Sequence, residues 1–200
     1  EVFPAMTALT KLNIGHLFMP DGLLNAIPTQ LAVLDFSYTA LDIQPPFCEV
    51  LSRMTALRKL DMSWCRLSAR ELKLLTPALD NCHALTWLKM NAIQGLAGME
   101  ASNLVRGLTQ LQLLHLEGCQ LKDHQVADLV RSLDYHHHLT SLSLAYNILK
   151  GESDRALAEW PQLLCLEEVG LNKPTSSYSN TTAVEEVLKQ SLSFRRIVQP

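Results

Sequence analysis

In the segment Leu114-His115-Leu116-Glu117 an imidazole and a carboxylate stand two residues apart. On a β-strand that spacing puts both on one face, where a base and an acid can work on the same proton. Hydrolysis also needs a nucleophile and an orienting group brought to the same place, and no pattern in the chain supplies them. His115 and Glu117 are therefore read as outward-facing polar residues, and the chain is not expected to be an enzyme. A second candidate is the run Tyr135-His136-His137-His138-Leu139. Imidazole is a common metal ligand, but three consecutive histidines cannot converge on one ion in regular structure. The run reads as a partly solvated connection before a strand, and neither a metal nor a cofactor is expected. The cysteines, Cys48, Cys65, Cys82, Cys119 and Cys165, are odd in number and contain no CxxC pair. That favours a reducing compartment and packed interior roles for Cys65 and Cys119. Asn180-Thr181-Thr182 matches a glycosylation sequon, unused in such a compartment; Thr182 with Glu185 instead forms a capping-box pattern.

With 17 Lys+Arg against 20 Asp+Glu the net charge is -3, which argues against nucleic acid or an anionic membrane surface as partner. No apolar run approaches the roughly 20 residues needed to span a bilayer. The length, 200 residues, suits a single domain with a real core. A start at Glu1, without methionine or a signal-like segment, reads as a fragment lacking its N-terminal part.

The elements that position these residues come from a repeat. LxxLxL-type segments begin at Leu9, Leu31, Leu57, Leu85, Leu111, Leu139 and Leu166, with successive differences of 22, 26, 28, 26, 28 and 27 by subtraction. Those periods lie within or beside the range of leucine-rich repeats. Each unit opens with period-two alternation, as in Leu142 and Leu144 between Ser141, Ser143 and Ala145, and so predicts a strand. Helical spacing follows. Leu72, Leu75 and Leu79 form one stripe behind a Ser68–Glu71 capping box, with Pro77 expected to kink or end the helix. Val126, Leu129, Val130 and Leu133 form another behind Asp123, a candidate N-cap. One strand and one helix per unit predict an α/β leucine-rich-repeat solenoid, a ribonuclease-inhibitor-like horseshoe with parallel strands on the concave face and helices on the convex face. Residues 1–200 form one domain of about seven repeats, with 172–200 as a C-terminal cap. At the turn position shared by Cys65, Cys119 and Asn147, the side chains are expected to bond backbone.

If the leucines point inward, the intervening residues line the concave face. Tyr38, Lys59, Asp61, Trp64, Trp87, Lys89, His115, Glu117 and Tyr146 are the candidate partner-binding residues. Exposed aromatics are costly in water and enriched among residues that carry binding energy.

The segment LHLEGCQLKDHQVADLVRSLDYHHHLTSLSLAYNIL, Leu114 to Leu149, resembles the last repeats of the PRAME (preferentially expressed antigen in melanoma) family. The likeness continues through LEEVGLNKPTSSYSNTTAVEEVLKQSL, Leu166 to Leu192, and extends upstream to LRKLDMSWCRLSARELKLLTPAL. It covers residues 50–200; the chain ends at RRIVQP without the cysteine-containing tail of some members. The resemblance implies an intracellular, cytoplasmic or nuclear substrate-recognition horseshoe of an elongin B/C and cullin-2 ubiquitin ligase, or a regulator of transcription or innate-immune signalling. The family's elongin-binding segment would lie upstream of Glu1. The strand consensus also fits the ligand-sensing or autoinhibitory tails of NACHT-type receptors.

Overall fold

The computed structural model describes residues 6–17, 22–99, 101–171, 182–190 and 197–198. Each leucine segment supplies a three-residue strand: β1 Lys11–Asn13, β2 Val33–Asp35, β3 Lys59–Asp61, β4 Trp87–Lys89, β5 Leu113–His115, β6 Ser141–Ser143 and β7 Glu168–Gly170. A further strand, β8 Ile197–Val198, follows the seven anchored ones. All eight are parallel and lie in chain order in one sheet. Equivalent repeat positions pair throughout: Leu12, Leu34, Leu60, Leu88, Leu114, Leu142 and Val169 form a single column. From Leu34 to Val169 that column has 0% exposure, because each side chain is sealed by the same residue of the repeats on either side.

The helices stand on the other side of this core: α1 Pro45–Ser52, α2 Ala69–Leu79, α3 Ala101–Val105, α4 Asp123–Ser132, α5 Gly151–Glu159 and α6 Thr182–Gln190. In α2 the Ser68–Glu71 box is present in both directions, and Leu72, Leu75 and Leu79 are buried. Pro77 neither ends nor precedes the end at once: the helix runs through it to Leu79. Pro77 has no N–H to give, so one bond of the ladder is missing near the end of the helix.

The Asp123 expectation needs correction. Asp123 is the first residue of α4, and its carboxylate serves the next helix instead, accepting from Lys150 N, Glu152 N, Ser153 N and the Ser153 hydroxyl at 2.6–3.1 Å. Asp154 does the same one repeat on, accepting from Ala183 N and Val184 N at the start of α6. Helix N-termini carry unpaired N–H groups and a positive dipole end, so a carboxylate from the preceding repeat satisfies both. The side chain of Thr182 and residue Asn180 lie outside the described residues.

A full helix in every unit is also not what is found. Among the described residues, the first unit has the 3-10 turn Leu23–Ala26 and no α-helix. The fourth has a 3-10 turn, Gln94–Gly98, and the five-residue α3. Two glycines disfavour a continuous helix there. Gly95 also packs so tightly on the preceding repeat that a Cβ would collide with the Leu67 carbonyl oxygen and come within 2.6 Å of the Ser68 carbonyl carbon.

Candidate functional site

Beyond the strands the inward column continues with Ile14, Phe36, Met62, Met90, Leu116 and Leu144, and the chain then turns. At the residue seven past each anchor the backbone enters the left-handed region: His16, Tyr38, Trp64, Ala92, Gly118 and Tyr146 all have φ between 56° and 64°. Only Gly118 is free of the Cβ penalty, so the turn is imposed by its bonds. Tyr38 N donates to Ser63 O, Trp64 N to Asn91 O and Ala92 N to Glu117 O, extending the ladder past the sheet. The Oδ1 atoms of Asp35 and Asp61 accept from Ser37 N and Ser63 N inside the same turns.

The next residue points back inward, and there the expectation for Cys65, Cys119 and Asn147 holds. Cys65 Sγ–H donates to Phe36 O and Cys119 Sγ–H to Met90 O, both at 3.1 Å, and Thr39 Oγ1 does likewise to Ile14 O. Burial pushes both thiols up to about 12, with nearby carboxylates adding a little, so each stays a protonated donor. Asn147 Nδ2 donates to Leu116 O at 2.7 Å while its Oδ1 accepts from Leu121 N.

Of the candidate binding residues, Lys59, Asp61, Trp87, Lys89 and His115 stand on the sheet, and Glu117 two positions beyond β5. The fold brings Lys59, Trp87 and Lys89 together: the two Nζ atoms lie 5.8 and 4.7 Å from the Trp87 ring centroid. Among the described residues neither lysine forms an ion pair, the ion pairs being those of Arg131 with Asp128 and Glu152.

Tyr38, Trp64 and Tyr146 require a correction of place. They are not on the concave sheet but at the left-handed turn, along the rim where the strands end. The rim is a stack. His16 and Tyr38 have ring centroids 4.5 Å apart with planes 10° from parallel, and Tyr38 and Trp64 follow at 5.6 Å and 6°. Tyr38 and Trp64 remain 52% and 53% exposed. Sequence reasoning missed His16 and the stack itself, although the common offset of seven from Leu9, Leu31 and Leu57 carried the signal.

The acid/base pair does not assemble. His115 Nε2 lies 3.0 Å from Ser141 Oγ, which in turn donates to Glu168 Oε2 at 3.4 Å. The imidazole thus pairs with the hydroxyl of the next repeat and not with the Glu117 carboxylate. Desolvation, then the Lys89 charge, lowers the His115 pKa. The histidine run also differs from expectation. His137 and His138 are exposed, but His136 is 1% exposed and bonds Val105 O through Nε2, leaving Nδ1 without a partner. The side chain that fills the core cannot also face a loop ion, and no metal-binding cluster occurs among the described residues.

Because α3 is so short, the convex face has a trough of about 1030 Å³ between Lys73, Thr76 and Pro77 of α2 and Lys122, His124 and Asp128 at α4. Nothing in the helical periodicity announced it. No helix among the described residues is long and apolar enough to cross a membrane.

No protein-family model and no curated protein sequence matches the chain. Solved structures do. An internalin (inlF) of Listeria monocytogenes superposes with a TM-score of 0.67 at 21% identity over 98% of this chain. The tropomodulin C-terminal domain of Caenorhabditis elegans gives 0.54 at 18% over 72%, and the mouse RP105/MD-1 complex 0.57 at 21% over 96%. The chain spans 50% of the internalin and 30% of the RP105-complex chain. With the single parallel sheet, the columns of leucine and the helices alongside, these likenesses identify the fold as an α/β leucine-rich-repeat solenoid.

Proposed function

We propose that the chain is a non-enzymatic protein-binding module that holds its partner on the concave face and the adjoining rim. The observation that carries this reading is the half-exposed His16–Tyr38–Trp64 stack beside the Lys59–Trp87–Lys89 cluster. Tryptophan and tyrosine are enriched among the residues that carry most of the binding energy of protein interfaces. The mouse RP105 structure, a complex with MD-1, agrees in kind.

The finer reading follows the PRAME-family resemblance of residues 50–200. In it the chain is the intracellular substrate-recognition part of a ubiquitin ligase that engages elongin B/C and cullin-2 through a segment outside these residues. Affinity purification of the parent protein from its own cells, with a Trp64→Ala/Trp87→Ala double variant as parallel bait, tests both levels. Elongins and a cullin with both baits, and other proteins lost from the variant, are the expected result. Absence of elongins and cullin from both removes the ligase reading. An unchanged protein set removes the proposed binding face.

A further inference from the structure

The aromatic rim breaks off at Trp64 and resumes only at Tyr146. His16, Tyr38 and Trp64 occupy successive left-handed turns and stack ring on ring, but the next two equivalent positions are Ala92 and Gly118. One face of Trp64 rests on Tyr38. Next to the other, at a strand spacing of about 4.8 Å, lies a rung with a methyl group where a ring would fit. Acidic groups lie on either side of that rung, with the Lys89 ammonium, opposite Asp61 in the sheet, drawn over the Trp87 ring instead. Asp61, one repeat before it, has one oxygen bound to Ser63 N. Glu117, one repeat after it, has its backbone N–H fixed by Asn91 Oδ1 at 2.9 Å, while no hydrogen bond or ion pair of its carboxylate is found among the described residues. We infer that the vacant rung over Ala92 receives an arginine side chain of the protein partner, the guanidinium lying flat on Trp64 and donating to Glu117 and Asp61.

A planar cation satisfies both features at once: it stacks like a missing ring and carries the charge the two carboxylates call for. A lysine ammonium lacks the plane, and an aromatic ring lacks the charge. The inference rests on the proposed binding face.

Titration of the 15N-labelled chain with N-acetyl-arginine amide, followed through the three indole N–H signals, tests it. The Trp64 signal is expected to move saturably, about threefold more tightly than with N-acetyl-lysine amide, while Trp160, 4% exposed, stays still. Ala92→Tyr continues the stack in a backbone conformation that Tyr38 already adopts, and should abolish the shift. Glu117→Gln should weaken binding roughly threefold. Equal response to the lysine probe, tighter binding of N-acetyl-tyrosine amide, or a shift that survives Ala92→Tyr overturns the inference. If the arginine probe fails while the Trp64→Ala/Trp87→Ala bait still loses its partner, the arginine falls and the binding face stands. If both fail, both fall.

Discussion

At Asn147 one buried amide ties three stretches of backbone together: it donates to Leu116 O and Leu144 O and accepts from Leu121 N. Asn147→Ala strands those groups away from water, and a loss of about 2–3 kcal/mol is expected in urea unfolding. Cys119→Ala removes a single weak thiol bond at the equivalent place and should cost about 1 kcal/mol. His136 and His115 make stability depend on pH with a known sign. Desolvation lowers both pKa values, so the unfolded chain takes up protons at about 6.5 that the folded chain refuses. The urea midpoint should therefore fall between pH 7.5 and 5.5, and His136→Phe should flatten that fall. The sequence showed three adjacent histidines; that the first is the buried one depended on which way the preceding helical turn delivers it.

Between elements, coupling runs through carboxylates that reach from one repeat to the next helix. Burial opposes the charge of Asp123, but the Ser153 hydroxyl and the N–H groups of Ser153, Lys150 and Glu152 outweigh it and hold its pKa below the ordinary value. A depressed carboxylate stabilises the fold above about pH 4 and loses that contribution as pH falls through its lower folded value. Asp123→Asn is expected to cost about 1 kcal/mol at pH 7, a difference that shrinks as acid protonates Asp123 in the folded chain. Asp154→Ala should leave the first six repeats intact and speed amide exchange in α6, whose first N–H groups it accepts. The helical stripes and the Ser68–Glu71 box were legible because both are local patterns. The Asp123 cap was misplaced because its acceptor and donors lie 27 to 30 residues apart, a distance no local window spans.

Across the whole molecule, each repeat is stabilised by its two neighbours, so a break in the middle separates two halves. Among the interior repeats the fourth is the thin point, with α3 five residues long. Gly95→Ala forces the Leu67–Ser68 backbone away and should cost about 1–3 kcal/mol. The expected signature is unfolding in two resolved steps, followed by hydrogen exchange on either side of the break. A single cooperative step with an unchanged midpoint would show that this contact is not limiting.

The sequence by itself determined the solenoid. Leucines recurring at a fixed offset within each unit leave one arrangement in which every apolar face is covered by its neighbour, a parallel stack with the strands in register. It also identified the residues that stay outside that core. Only the tertiary structure decided where they stand: Trp64 and Tyr38 on the rim rather than the sheet, Trp87 between two lysines, and His115 bonded to Ser141 instead of Glu117. The physical reason is that alternation fixes which way a side chain points along a strand. The left-handed turn that ends the alternation is set by hydrogen bonds to the next repeat, and these form only when the repeats stack.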